Sequence, residues 1–319
     1  MNITFLTHMA RSGSTLVARE LSRFEALSVG IEESLPDGIV KGEEVLLEDR
    51  DELDEWLERA WKDEKLAAWD IEQDALRNRL INNHSFPLRF REILEELLRL
   101  YFNHDLSDCV IHKKGPYYRY IDSVRAQFPD ARFIHVDRDP RGIYNSQKKA
   151  ARSDSGRTMA EAPATFAFQY LAARHAMNRY QDEPYFFVVR YEDFLKDSRR
   201  ELLRIMDFLG LQEKKERGNS PYLERIPGSQ HHLHENLKKE IIPDRATSWK
   251  EELKAEELYF FQKALGKTLR INGYPLVGLS PLALAVKVPV WRKLIAFYIK
   301  YTLKRWFPAL YRLAGGETG

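Results

Sequence analysis

The chain has very little cysteine and almost no net charge. Cys109 is the one cysteine among 319 residues, which excludes a disulfide framework and a cluster of thiolate metal ligands. A reducing, cytoplasmic setting is the simplest expectation from that cysteine usage. The net charge of +2 gives no overall attraction to nucleic acid, so we expect no nucleic-acid partner and only local basic function.

Long apolar runs are also missing. No uncharged stretch reaches the roughly 18 residues that a membrane-spanning helix needs. No apolar leader precedes the first predicted strand, so no signal peptide is expected. With 44% hydrophobic and 31% charged residues, the composition fits one large α/β domain, or one domain plus an appendage.

The most informative segment is a loop between a predicted strand at 3–7 and a predicted helix at 17–21. It consists of Arg11, Ser12, Gly13, Ser14, Thr15 and Leu16. Such a loop directs backbone N–H groups and the positive end of a helix dipole at one anion. A Walker loop would end in Gly-Lys-[Ser/Thr], and that lysine is missing here. The pattern predicts a phosphate loop unlike that of an ATPase or GTPase; an ordinary capped helix start is the alternative.

Five short apolar segments predict strands, and helical patterns separate them. They lie at 3–7, 27–31, 108–112, 131–136 and 185–189. Alternating strands and helices favour the α/β class with a parallel, buried sheet. Ligands bind beyond the carboxyl ends of such strands, and polar residues follow each of these segments. We therefore expect one shared site at that edge of the sheet.

A second candidate anion site follows the strand at 131–136. Arg138 can offer two parallel donors to a phosphate, and Ser146 follows it by eight residues in the next predicted helix. Pro140 suits the first turn of that helix. The alternative is a surface arginine balanced by Asp137 and Asp139.

Together these segments resemble the signatures of sulfotransferases that use 3′-phosphoadenosine-5′-phosphosulfate (PAPS). The matching segments are Arg-Ser-Gly-Ser-Thr-Leu at 11–16, Phe-Ile-His-Val-Asp-Arg-Asp-Pro-Arg at 133–141 with Ser146, Tyr-Glu-Asp-Phe at 191–194 and, more weakly, Arg-Ala-Thr-Ser-Trp-Lys at 245–250. The resemblance covers about residues 1–275 and implies a three-layer P-loop-like fold, with a central parallel β-sheet flanked by helices. Residues 276–319 are predicted to form a separate basic, amphipathic C-terminal helical segment.

The resemblance implies that the first loop holds the 5′ end of PAPS. Backbone N–H groups of residues 12–16, with the hydroxyls of Ser14 and Thr15, would bind the 5′-phosphate. Arg11 would neutralise charge on the bridging oxygen as the sulfuryl group leaves.

The rest of the donor is assigned by the same resemblance. Arg138 and Ser146 would bind the 3′-phosphate, and Arg245 is a candidate for a second contact with it. Tyr191 is a candidate for packing against or hydrogen bonding to the adenosine, with a half-buried core tyrosine as the alternative. The product would be adenosine 3′,5′-bisphosphate.

Sulfuryl transfer asks a protein to position reactants and stabilise charge. The transferred group carries less negative charge than a phosphoryl group, so cationic side chains would serve and no metal is expected. Lys114 is the candidate for contacting the sulfuryl oxygens. Relatives often carry Lys-Thr-Pro where this chain has Lys-Gly-Pro, and the departure at Gly115 leaves open whether Lys113 has that role.

A general base must take the proton of the acceptor hydroxyl. Many relatives that act on carbohydrates or protein tyrosines place a glutamate at the end of the second strand, and Glu32 matches that spacing from Arg11. Glu33 is the second choice. Cytosolic relatives that act on small phenols use a histidine, for which His112 is the candidate. His8, just before the loop, is predicted to be structural.

The C-terminal segment is basic and aromatic. Residues 281–316 contain seven basic and no acidic residues. This composition is typical of an interfacial helix on anionic lipid, which would add a peripheral membrane contact. A helix docked on its own domain or on a second subunit is the equal alternative.

The sequence thus predicts sulfuryl transfer from PAPS to an acceptor hydroxyl on a lipid, glycan or other small molecule. The alternatives are a P-loop-like small-molecule kinase using ATP and Mg²⁺, and a catalytically inactive, membrane-associated nucleotide-binding protein. The segments 35–105 and 212–244 would build the acceptor pocket. The oligomeric state stays open.

Overall fold

The structure, a computed structural model, describes most of the chain. The described residues are 1–32, 46–63, 66, 69–103, 107–150, 156–212, 215–217, 220, 222, 226, 243–278 and 284–306. The chain divides into two compact units. The first unit consists of Met1–Asp137 and Met177–Ile242, and the second of Arg138–Ala176 and Pro243–Gly319. The predicted boundary between residues 275 and 276 stays a prediction.

The first unit contains the central sheet. In chain order the strands are β1 (Ile3–His8), β2 (Leu27–Val29), β3 (Leu46–Leu47), β4 (Leu88–Arg89), β5 (Cys109–Lys113), β6 (Arg132–Asp137) and β7 (Phe186–Arg190). Five of them form a parallel sheet in the order β2-β5-β1-β6-β7. The antiparallel pair β3–β4 forms a second, small sheet that was not predicted from the sequence.

The helices complete the described elements. In chain order they are α1 (Ser14–Leu21), α2 (Arg50–Ala60), α3 (Gln73–Asn83), α4 (Phe90–Tyr101), α5 (Ile121–Gln127), α6 (Pro140–Lys149), α7 (Pro163–Met177), α8 (Tyr191–Lys196), α9 (Ser198–Leu209), α10 (Trp249–Glu252), α11 (Ala255–Ala264), α12 (Gly266–Ile271) and α13 (Leu284–Trp306). Helix α1 contacts β1 and β2, and α8 and α9 contact β7. The predicted α/β fold, a parallel sheet flanked by helices, is confirmed.

The core of the first unit is built around β1, the middle strand. All six of its residues are buried, as expected for a strand covered on both faces. Phe5 stacks on Phe133 of β6, with ring centroids 5.5 Å apart. An apolar stripe at helical spacing along α4 is buried and consists of Phe90, Ile93, Leu94, Leu97 and Leu98.

An aromatic cluster ties three helices of the second unit together. Tyr144 of α6 lies 5.3 Å from Phe166 of α7 and 4.8 Å from Phe261 of α11, measured between ring centroids. Such tilted and edge-on aromatic pairs add about 0.5–1.5 kcal/mol beyond the burial of their area. Among the described helices, none combines the length and apolar character needed to cross a membrane.

Candidate active site

The loop between β1 and α1 depends on two left-handed residues. Arg11 has φ 72° and Gly13 has φ 98°. A Cβ added to Gly13 would overlap the ring of Tyr191, the buried first residue of α8. Only glycine meets both the positive φ and this close approach. The contact brings the Tyr-Glu-Asp-Phe segment directly against the loop.

The helix that follows this loop begins without a side-chain cap. The N–H groups of Ser12 and Leu16 donate to backbone carbonyls 3.1 and 3.0 Å away. The N–H groups of the three intervening residues, Gly13, Ser14 and Thr15, donate to no group of the protein within the described ranges. The buried Ser12 hydroxyl also has no partner there. Unused donors converging at a helix N-terminus fit a bound anion such as phosphate.

A carboxylate lies beside the entry to this loop. The Oε2 atom of Glu32 is 3.0 Å from Nζ of Lys113 and 3.4 Å from Nε2 of His8, the last residue of β1. The side chains of Lys113 and His8 are buried, whereas that of Glu32 is 26% exposed. Glu32 is therefore held from one side by the buried ammonium of Lys113, with the buried His8 ring beside it, while part of it faces solvent.

The glycine at position 115 makes room for this arrangement. A Cβ there would lie 3.2 Å from both Cε1 and the carbonyl oxygen of His8, and 3.5 Å from Oε1 of Glu32. A threonine side chain at this position would press on the His8 ring. The glycine that replaces the threonine of Lys-Thr-Pro thus leaves room for the His8 ring beside Glu32.

The two predicted lysines and the candidate histidine differ in their surroundings. Lys113 forms the ion pair with Glu32, whereas Lys114 is buried at the start of a short 3₁₀ turn and its N–H donates to Leu6 O at 3.0 Å. His112 is fully buried, with its ring 5.6 Å from that of Phe5. The structure brings Lys113 to the candidate base Glu32.

A buried tyrosine that sequence reasoning missed lies near the carboxylate. Burial raises the pKa of the Tyr222 phenol far above its ordinary value, and the charge of Glu32 raises it further. The segment 212–244 was predicted to help build the acceptor pocket, but no motif singled out this residue. Only its position in the fold identifies it.

Other parts of the predicted site lie outside the described residues. They include Glu33, the second-choice base, and most of 212–244. Across the described ranges, no group of three or more His, Cys, Asp or Glu side chains is arranged to hold a metal ion.

The second unit contains the other candidate anion site. Arg138, directly after β6, is buried, and its Nη2 donates to the carbonyl oxygen of Arg245 at 3.4 Å. A Cβ on Gly142 would lie 3.0 Å from Arg138 Nε, so this glycine leaves room for the guanidinium. Ser146 is four residues beyond Gly142 and so shares its face of α6. Arg245 supports Arg138 through its backbone.

The guanidinium of a neighbouring arginine donates several hydrogen bonds within the second unit. Arg141 is fully buried and makes two bonds to Asp139, of 2.9 and 2.6 Å. It also donates to Gln262 Oε1 at 3.2 Å and to Pro275 O at 2.9 Å. Its guanidinium lies 3.8 Å from the centre of the Trp249 ring. Arg141 therefore joins the start of α6 to the C-terminal elements of the second unit.

Comparison with known proteins agrees with these observations. The sequence matches the model of the Sulfotransferase family over residues 4–215. No curated protein matches it significantly. The fold is similar to that of the sulfotransferase domain from the Synechococcus PCC 7002 olefin synthase, at 19% identity and a TM-score of 0.50, with 93% of this chain and 94% of that chain covered.

The sulfotransferase domain from the curacin biosynthetic pathway matches at 17% identity and a TM-score of 0.49, with 87% of this chain and 99% of that chain covered. The family match spans more than half of the chain and includes the first loop, Glu32, Lys113 and Arg138. The chain therefore belongs to the sulfotransferase family.

Proposed function

We propose that this protein transfers a sulfuryl group from PAPS to an acceptor hydroxyl. The observation that carries the proposal is the position of Glu32, whose carboxylate lies 3.4 Å from His8 at the entry to a loop with unused N–H donors. A carboxylate beside an anion-binding loop places a base next to a binding site for the leaving phosphate. Family membership supports the same assignment.

The first loop binds the 5′ end of the donor. PAPS supplies the sulfuryl group, attached to its 5′-phosphate. The N–H groups of Gly13, Ser14 and Thr15, with the Ser12 hydroxyl, donate to the phosphate oxygens. Arg11 meets the negative charge that grows on the bridging oxygen, because a guanidinium stays charged and presents several donors.

The 3′-phosphate is assigned to Arg138 and Ser146. The guanidinium can give two parallel hydrogen bonds to phosphate, and the serine hydroxyl adds another from the same helix face. The carbonyl of Arg245 keeps the guanidinium in place. For Tyr191 we propose a positioning role, since its ring packs against Gly13 and so supports the left-handed turn of the loop.

Glu32 is the proposed general base. It accepts the acceptor's hydroxyl proton while the acceptor oxygen bonds to sulfur and the bond from sulfur to the bridging oxygen breaks. Adenosine 3′,5′-bisphosphate leaves. Lys113 and His8 both approach Oε2 of Glu32 and so orient the carboxylate. Lys114 stays the candidate for the sulfuryl oxygens, and His112, packed in the aromatic core, has no role in this proposal.

A transfer assay tests the proposal. Purified protein is incubated with ³⁵S-labelled PAPS and pooled lipids, glycans and phenols, and labelled product is separated by chromatography. We expect transfer by the native chain and a loss of about 100-fold or more in Glu32→Gln, because general-base catalysis contributes about 10²–10⁴-fold. Glu25→Gln, just before β2, is the matched control and keeps full transfer. Full activity in Glu32→Gln would assign the base elsewhere, and Glu33→Gln and His112→Asn identify which residue it is.

A further inference from the structure

The C-terminal helix α13 is anchored to its own unit along one stripe. Val290, Leu294 and Phe297 are buried, and their spacing of four and three residues puts them on one side of the helix. Phe297 packs edge-on against Phe260 of α11, with ring centroids 6.0 Å apart. This side of α13 is therefore docked on its own unit, which is one of the predicted alternatives for the segment.

Two further contacts fix how the helix is turned. The hydroxyl of Tyr298 donates to the carbonyl oxygen of Lys263 at 2.8 Å. The ammonium of Lys300 lies 5.6 Å from the centre of the Phe168 ring on α7. Because α13 is held at several points, the residues on its far side form a defined surface.

Large apolar side chains line part of that outer surface. Trp291 is 48% exposed, Ile295 56% and Ile299 57%. Their spacing of four residues aligns them in one strip along α13. Scattered exposed apolar residues are ordinary, but an aligned strip with a tryptophan marks an interaction surface.

Exposed basic residues accompany this strip. Arg292 precedes Ile295 by three residues and Ile299 by seven, so it borders the strip, whereas Lys293 and Lys300 are exposed on another side of α13. The sequence from 281 to 316 has seven basic residues and no acidic one. An apolar strip beside positive charge complements an anionic lipid surface. It does not complement a second copy of itself, because two such faces would bring like charges together.

We propose that the outer face of α13 rests on an anionic membrane surface. Trp291, Ile295 and Ile299 enter the headgroup region, and Arg292 contacts anionic headgroups, while Lys293 adds to the positive charge near the surface. The buried stripe keeps the second unit attached to the helix that meets the lipid. This inference is independent of the proposed sulfuryl transfer, since it concerns a different surface.

Vesicle sedimentation of the full chain tests the proposal. The protein is mixed with phosphatidylcholine vesicles, or with vesicles containing about one-third phosphatidylserine, whose surface potential attracts basic segments. We expect binding to the anionic vesicles only, and weaker binding as salt is added. Binding to neither vesicle, or equal binding to both, would overturn the proposal.

Variants separate the apolar and the charged contribution. Trp291→Ser with Ile295→Ser, and separately Arg292→Glu with Lys293→Glu, are each expected to weaken binding at least about tenfold. Ile271→Ser, which replaces a residue 71% exposed on α12, is the matched control and binds normally. Circular dichroism and thermal unfolding confirm that each variant is folded. If the variants instead convert a dimer to a monomer in light scattering and leave vesicle binding unchanged, the face joins two copies and the lipid proposal is wrong.

Discussion

Two helices that each follow a strand of the same sheet differ in whether the backbone N–H groups at their N-termini are hydrogen-bonded. After β1, helix α1 begins uncapped, and three N–H groups of its loop are unused among the described residues. After β6, helix α6 begins at Pro140, which has no N–H, and Asp139 accepts the Arg141 N–H at 2.9 Å. The first start is open to an anion, and the second is closed by its own residues.

Under the proposed function, the difference gives two ways to build an anion site at the end of a strand. The open start uses backbone donors and needs a glycine where the ring of Tyr191 supports the turn. The closed start has to use a side chain, so Arg138 is buried beside Gly142 and held by a carbonyl. The first site depends on Gly13 and the second on Arg138, so substitutions at these two positions can test the two sites separately.

The largest expected effect is on stability, from the closed start. Arg141→Ala leaves the buried carboxylate of Asp139 without its ion pair, and breaking a buried pair costs about 3–5 kcal/mol. We expect that loss in the free energy of unfolding measured in urea. Lys267→Ala, an exposed site in the same unit, is the control. A variant as stable as the native chain that fails to bind nucleotide would show that Arg141 belongs to the ligand site instead.

The next effect breaks the open start. Gly13→Ala forces a left-handed conformation that costs an L-residue about 1–2 kcal/mol, and its Cβ overlaps Tyr191. We expect affinity for adenosine 3′,5′-bisphosphate, measured by calorimetry, to fall at least about tenfold. Adding Tyr191→Ala relieves the overlap but not the strain, so it recovers part of that affinity. Gly266→Ala, where a Cβ meets nothing within 4 Å, leaves affinity unchanged. Normal binding by Gly13→Ala would contradict the role given to the loop.

A third substitution separates the two ends of the nucleotide. Arg138→Ala removes charged hydrogen bonds worth about 1.5–3 kcal/mol, so the affinity for adenosine 3′,5′-bisphosphate falls about 10- to 100-fold. Affinity for adenosine 5′-monophosphate, which has no 3′-phosphate, stays the same. Arg138→Lys is intermediate, since a lysine cannot give the paired contact. Equal losses for both nucleotides would remove Arg138 from the 3′-phosphate.

The smallest effect has opposite signs in two assays. The Ser12 hydroxyl is buried without a partner in the described part of the chain, so Ser12→Ala keeps or slightly raises stability. If the hydroxyl binds phosphate, the same change weakens nucleotide binding by about 0.5–1.5 kcal/mol. Thermal unfolding with and without adenosine 3′,5′-bisphosphate measures both. A loss of stability without ligand would indicate a structural role.

The sequence predicts the strands and the first loop because each is a local pattern. The five parallel strands and the stripe of α4 follow from short apolar runs and helical spacing. The cluster of His8, Glu32 and Lys113 is not local. Its members follow or end β1, β2 and β5, and the strand order β2-β5-β1 brings them together.

The two arginines near the start of α6 show the same limit. Arg138 and Arg141 stand in one short motif, and spacing cannot tell which of them binds a ligand. Contacts with residues distant in sequence distinguish the two arginines, because Gln262, Pro275 and Trp249 surround Arg141. Residues brought together only by the fold, such as Tyr222 near Glu32, are beyond reach of a motif.

Calorimetric titration of the native chain tests most directly which donor the protein uses. The ligands are adenosine 3′,5′-bisphosphate, adenosine 5′-monophosphate and ATP with Mg²⁺. We predict that the bisphosphate binds without a metal, at least about tenfold more tightly than either other nucleotide, since only it offers a 3′-phosphate. Tighter binding of ATP with Mg²⁺ would contradict the use of PAPS and indicate a kinase.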